Sequence, residues 1–148
     1  MNVVEFLTHV DLQGDWKNWP YGFNARWPNF RPWEFRSAAD DEFLISCTLL
    51  DGLQRLRAMA ETGLYVNQPE HNLHRRGFRT MKANADAGGS SMSQHMSGRA
   101  SDVDARGVVS PRTLAQMARD IVCFDRGGII LYETFVHLDV RPNGPYHK

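Results

Sequence analysis

Ser93-Gln94-His95-Met96-Ser97-Gly98-Arg99-Ala100-Ser101-Asp102 is followed, 35 residues after its aspartate, by the histidine of Phe135-Val136-His137-Leu138-Asp139-Val140-Arg141. One imidazole, one carboxylate seven residues later and a second imidazole far downstream amount to three protein ligands for a zinc ion. Three ligands leave a fourth tetrahedral position for water, the pattern of a catalytic rather than a structural metal. Between His95 and Asp102 the small residues Gly98, Ala100 and Ser101 let the backbone turn and approach an ion closely. Arg99 to Asp104 then alternates as a short strand, with Ala100, Asp102 and Asp104 on one face. In the later segment Phe135, His137, Asp139 and Arg141 share a face while Val136, Leu138 and Val140 share the other. That period of two predicts a strand whose aliphatic face packs on a core and whose polar face lines a cleft.

These segments resemble the zinc-dependent D-alanyl-D-alanine carboxypeptidase and endopeptidase family, which cuts the stem and cross-link peptides of peptidoglycan. Ser93, His95, Gly98, Ala100 and Asp102 match the family pattern Ser-x-His-x-x-Gly-x-Ala-x-Asp, and His137 matches its late strand histidine. The second segment has the His-x-Asp form carried by relatives often found in phage genomes. Asn29 to Phe35, Leu50 to Arg57 and Gly77-Phe78-Arg79-Thr80 are similar to upstream landmarks of the family, so the resemblance runs from Asn29 to Arg141. It implies that His95, Asp102 and His137 ligate Zn2+ and that the substrate is a D-amino-acid-containing peptide of bacterial peptidoglycan. Taken singly, His95 reads as a surface loop histidine and His137 as a hydrogen-bonded strand histidine; landmarks in matching order point to the metal instead.

The resemblance also makes Arg79 the arginine that binds the scissile carbonyl or a substrate carboxylate, a task for which a fixed fork of donors is suited. Ser93 either binds substrate or caps the loop before His95. One departure concerns the general base. Relatives place an acid three positions before the last histidine ligand, where this chain has Thr134. Glu133, one residue removed, and Asp139, on the face of His137, are the two candidates, with Asp125 a remote third; Asp139 also suits a partner that orients an imidazole. The missing acid leaves an alternative open: a non-catalytic module that holds zinc or peptidoglycan, such as a phage virion component. His71 and His74 lack a third ligand nearby, so a second metal site is not expected there.

The elements that must position these residues can be read from spacing. Pro32 suits the first position of a short helix, Arg31 to Arg36. A main helix is predicted from about Asp40 to Thr62, because Phe43, Cys47, Leu50, Leu53, Leu56 and Ala60 recur at steps of three or four, and Gly63 stands where a left-handed cap is wanted. Leu64 to Gln68 reads as a strand, and 68 to 93 as a long functional loop. Ser110 caps a second helix with Pro111 as its first residue, and Ile129 to Tyr132 with Phe135 to Val140 form a hairpin. Helices followed by a mostly antiparallel sheet predict an α+β fold: a single domain with helices packed on a small sheet that carries the zinc site.

Half of the sixteen aromatic residues lie between Trp16 and Phe35. Residues 1–28 are therefore read as an aromatic arm that wraps over a peptidase-like domain of residues 29–148, in preference to a sugar-stacking surface. At 148 residues the chain can build a sizeable core without metal or disulfides. Seventeen basic and seventeen acidic residues balance, which argues against nucleic acid as a partner, including through the Arg75 to Lys82 cluster. Cys47 and Cys123 sit in apolar helical patterns and read as buried free thiols. No apolar run approaches a membrane span and the amino terminus lacks a signal-peptide pattern. Synthesis in the cytoplasm is expected, with action at the cell wall or within a phage particle.

Overall fold

The computed structural model describes residues 5–8, 26–36, 44–66, 77–86, 88 and 93–148. The architecture is α+β. Strand β1 (Phe6–Thr8) pairs antiparallel with β2 (Leu44–Ser46), and β2 runs directly into helix α1 (Cys47–Ala60). The helix thus starts later than its apolar spacing predicts. The predicted helix takes in Leu44 to Ser46, yet Ile45 pairs with Leu7 in the small sheet and both are fully buried. Ser46 takes an extended conformation and its side chain accepts from the Leu49 amide at 3.3 Å, which caps α1. At the other end Glu61, rather than Gly63, adopts the left-handed conformation, with φ of 53°. Of the strand predicted over Leu64 to Gln68, residues 64–66 are described and form none; Tyr65 makes an isolated bridge to Asp104.

Helix α2 (Met81–Asp86) lies within the stretch predicted as a loop. A 3-10 helix (Gln94–Ser97) then leads into strand β3 (Ala100–Val103). Helix α3 (Pro111–Ala118) has Ser110 as its cap, accepting from Thr113 N at 3.1 Å, and Pro111 first, as the sequence predicts. A short helix α4 (Val122–Asp125) precedes the hairpin of β4 (Gly128–Leu131) and β5 (Val136–Asp139), and β6 (Tyr146–His147) adds a final strand. The main sheet has the order β3-β5-β4-β6, antiparallel except for the β4–β6 pair.

Register carries the site. Asp102, His137 and Ile130 stand in one row across β3, β5 and β4, and Ala100, Asp139 and Gly128 stand in the next row of that face. Directly opposed side chains in an antiparallel pair lie close together, so the ladder itself brings Asp102 to His137. The opposite face, with Val103, Leu138, Val136 and Ile129, is buried against α3 and α4. Behind them α1 contributes Leu49, Leu50, Leu53 and Leu56, all fully buried. Gly52 lets α1 cross α4 closely, since a Cβ there would meet Phe124 at 2.7 Å and Cys123 Sγ at 2.6 Å.

Of the aromatic arm, Trp27 is fully buried and donates through Nε1 to Asp51 of α1 at 2.9 Å, while Arg26 grips the same carboxylate at 2.6 and 2.9 Å. These two residues are thereby tied to α1. Trp16, Trp19, Tyr21 and Phe23 lie outside the described residues, as do His71, His74, Arg75 and Arg76. Both cysteines are free, Cys47 buried and Cys123 half-buried. No helix among the described residues is long and apolar enough to cross a membrane.

Because Leu138 anchors the back of the strand that presents His137, Leu138→Ala should cost about 2–5 kcal/mol of stability in reversible unfolding. A loss below about 1 kcal/mol would show that this face is not the packed support described.

Candidate metal centre

His95 sits on the 3-10 helix Gln94–Ser97, which Ser93 caps by accepting from the His95 amide at 3.3 Å. Gly98 ends that turn at φ of 70°, and a Cβ there would lie 2.8 Å from the Leu44 carbonyl oxygen; only glycine meets both demands. The segment 77–80 runs beside this turn. Arg79 N donates to His95 O at 3.1 Å, and the His95 ring bonds through Nδ1 to Gly77 O at 2.8 Å. A carbonyl can only accept, so Nδ1 carries the proton and the lone pair of His95 is on Nε2.

That Nε2 lies 3.3 Å from Asp102 Oδ1, and His137 Nδ1 lies 3.0 Å from the same oxygen. The two rings meet edge to face with centroids 5.1 Å apart. On the far side of His137, Nε2 is 2.8 Å from Asp139 Oδ2. Asp139 fixes the ring from Nε2, so Nδ1 is the nitrogen turned toward Asp102 and His95: it donates to Asp102 while the ring is protonated and would offer its lone pair to an ion once that proton leaves. All three side chains are buried and offer donor atoms within 4.8 Å of one another, so the group could hold a metal ion. The donor set, two imidazoles and one carboxylate with a carbonyl and a second carboxylate behind them, fits a borderline divalent ion such as zinc.

Burial opposes charge on Asp102, but His95 and His137 outweigh it and hold its carboxyl far below the usual range. Burial likewise opposes the imidazolium of His137, yet the hydrogen bonds it donates to Asp102 and Asp139 prevail and raise its pKa to about 9. Asp139 is held low despite burial, by Arg141 and then by His137.

These residues open onto a cleft of about 550 Å³ lined by Arg79, Ser93, His95, Asp102 and His137. Arg79 reaches to 3.7 Å from Asp102 Oδ2 and bonds Asn84 of α2 at 3.4 Å. Tyr132 and Phe135, stacked with centroids 4.6 Å apart, and Tyr146 form the aromatic side of the same cleft. Glu133 is exposed on the two-residue turn that Tyr132 N closes onto Phe135 O at 3.0 Å, and it is not among the lining residues described. Asp139 is fully buried, and Asp125 lies elsewhere, its main-chain oxygen bonded by His147 at 2.9 Å. A separate hollow of about 610 Å³ between α1 and α4 contains none of the candidate ligands.

The sequence did not reveal the Gly77 carbonyl or the Asn84 contact, because neither has a local pattern. Arg141 was legible only as a residue on the His137 face; that it takes up both oxygens of Asp139 depends on the space Gly128 leaves beside that carboxylate. The family model described as Peptidase M15 matches residues 33–139. The chain belongs to the peptidase M15 family. No curated protein matches the chain. M15 peptidases are metal-dependent, and in this M15 peptidase the buried His-Asp-His group is the place where an ion could sit.

An ion bound by His137 would have to displace the proton that Asp102 and Asp139 favour there, so binding would release that proton at neutral pH. Apparent zinc affinity should therefore rise with pH through the neutral range and level off above about 9, read by competition against a chromophoric chelator. A flat profile over that window would contradict the assigned state of His137.

Proposed function

We propose that this M15 peptidase is a zinc enzyme that hydrolyses amide bonds in the D-amino-acid-containing stem or cross-link peptides of bacterial peptidoglycan. The observation that carries the proposal is the convergence of His95, Asp102 and His137 on one cleft wall with the Arg79 guanidinium beside them. Zinc held by those three side chains would supply a Lewis acid and activate water for attack on the scissile carbonyl.

The chain's own residues supply the rest. Gly77 O and Asp139 orient the two imidazoles from behind, leaving His95 Nε2 and His137 Nδ1 as the facing donors. Arg79, on a cleft wall and hydrogen-bonded by Asn84, offers its fork to the oxygen of the carbonyl as negative charge develops there. Ser93 both caps the His95 turn and lines the cleft, so its substrate role is secondary to its structural one. Of the two carboxylates considered for proton abstraction, Asp139 has both oxygens engaged inside the protein. Glu133 is the solvent-exposed one, outside the cleft lining on a turn whose flanking Tyr132 and Phe135 border the cleft, and the proposal gives it the role of general base through a small shift of that turn toward the cleft.

Thr134 in the family's acid position supports a second reading, in which the chain binds wall peptides or a phage virion without cutting. Mass spectrometry of purified peptidoglycan after digestion separates the two. The peptidase reading expects released peptide fragments. Glu133→Gln should slow that release by about 10²–10⁴-fold with zinc retained. Arg79→Lys should lower turnover while metal and fold persist, since a lysine keeps the charge but loses the planar fork. Zinc-loaded wild type that binds peptidoglycan and releases nothing would establish the binding module instead.

A further inference from the structure

Asp139 is buried to the last ångström of its surface, and both of its carboxylate oxygens are taken. Oδ1 accepts from Arg141 N at 3.1 Å and from Arg141 Nε at 2.8 Å. Oδ2 accepts from a terminal nitrogen of Arg141 at 2.5 Å and faces His137 Nε2 at 2.8 Å. A guanidinium that meets a carboxylate through two parallel N–H···O bonds fixes both its place and its plane. Lysine offers no such control.

The surroundings are built for this carboxylate. Gly128 stands opposite Asp139 on β4, and a Cβ there would lie 2.6 Å from Asp139 Cγ and 2.7 Å from Oδ1. On the β3 side the opposing residue is Ala100, again small. Tyr146 of β6 lies against the Arg141 guanidinium at 4.7 Å from its ring centre, and β6 is itself paired beside Gly128. All four strands of the main sheet therefore contribute to the seat of one carboxylate whose remaining bond is to His137.

We propose that Arg141 is a positioning residue of the metal centre: its fork holds Asp139 against His137 Nε2 and thereby keeps the ring turned with Nδ1 toward His95 and Asp102. The proposal rests on the reading of His95, Asp102 and His137 as metal ligands. It concerns Arg141 and Asp139 as supports, which stand outside the three proposed ligands. Without the fork, Asp139 can swing or recruit water, the His137 ring gains freedom, and the facing donors are no longer organised before binding.

The test uses the full chain in wild-type form and as Arg141→Lys and Arg141→Ala. Arg141→Lys keeps a cation beside a buried carboxylate and so guards against misfolding, which Arg141→Ala risks by leaving that charge unpaired. Zinc dissociation constants come from chelator competition. The metal-free proteins are compared by circular dichroism and by the side-chain ¹⁵N–¹H resonance of His137 Nε2. Removal of such outer partners typically weakens metal binding about 10–100-fold, and Arg141→Ala should fall in that range with Arg141→Lys between it and wild type. The His137 Nε2–H resonance, protected in wild type, should broaden or vanish in both folded variants.

Zinc affinity within about twofold of wild type in both folded variants, with the resonance retained, would overturn the role of Arg141 and leave the ligand assignment standing. A wild type that binds no zinc overturns both. If Arg141→Ala does not fold, Arg141→Lys decides, together with Gly128→Ala, which displaces the same carboxylate from its other side and should also weaken zinc binding.

Discussion

A carboxylate buried between two imidazoles is the constraint around which this protein is organised. Asp102 is 5% exposed, and one of its oxygens is shared by His95 and His137. An ionised group in such a place is costly unless charge and hydrogen bonds are arranged around it. Arg79 stands 3.7 Å from its other oxygen, and behind His137 a second buried carboxylate, Asp139, is neutralised by Arg141. Two carboxylates, two guanidiniums and two imidazoles thus occupy one face of a small sheet. A divalent ion bound there would take the place of the proton that His137 otherwise keeps.

The support for that cluster is a matter of register and of small residues. Pairing of Asp102 with His137 across β3 and β5 fixes two of the candidate ligands through backbone hydrogen bonds alone, and the aliphatic back face locks the strands to α3 and α4. His95 arrives on a separate element and needs more devices: the Ser93 cap, the Gly98 turn and the Gly77 carbonyl. Gly77 is itself held where a Cβ would strike the Phe35 backbone at 2.6 Å. The upstream segments are therefore parts of the site, although they carry no ligand.

Much of this was legible in the residues themselves. The alternation from Phe135 to Arg141 and the Ser110-Pro111 pair announce β5 and α3 because strand periodicity and helix capping are local properties. Where partners are distant, the local signal misleads or falls silent. Phe43 to Leu50 carries a helical repeat, but pairing of β2 with β1 overrides it and the helix waits for Ser46. The parallel strand β6 has only two residues and no pattern of its own. The contact of His95 with Gly77 spans 18 residues of chain that contain no periodic cue. Asp139 shows the same limit from another side: its place on the His137 face was readable, whereas the engagement of both its oxygens by Arg141 and His137 depends on the seat that Gly128 provides.

X-ray absorption at the zinc edge of the purified, zinc-loaded protein tests the account most directly. Two imidazole nitrogens at about 2.0–2.1 Å, with the remaining scatterers all oxygen and one zinc per chain, is the result expected from His95, Asp102 and His137. Sulfur scattering at about 2.3 Å, or a single imidazole in the shell, would place the metal elsewhere and contradict the centre described.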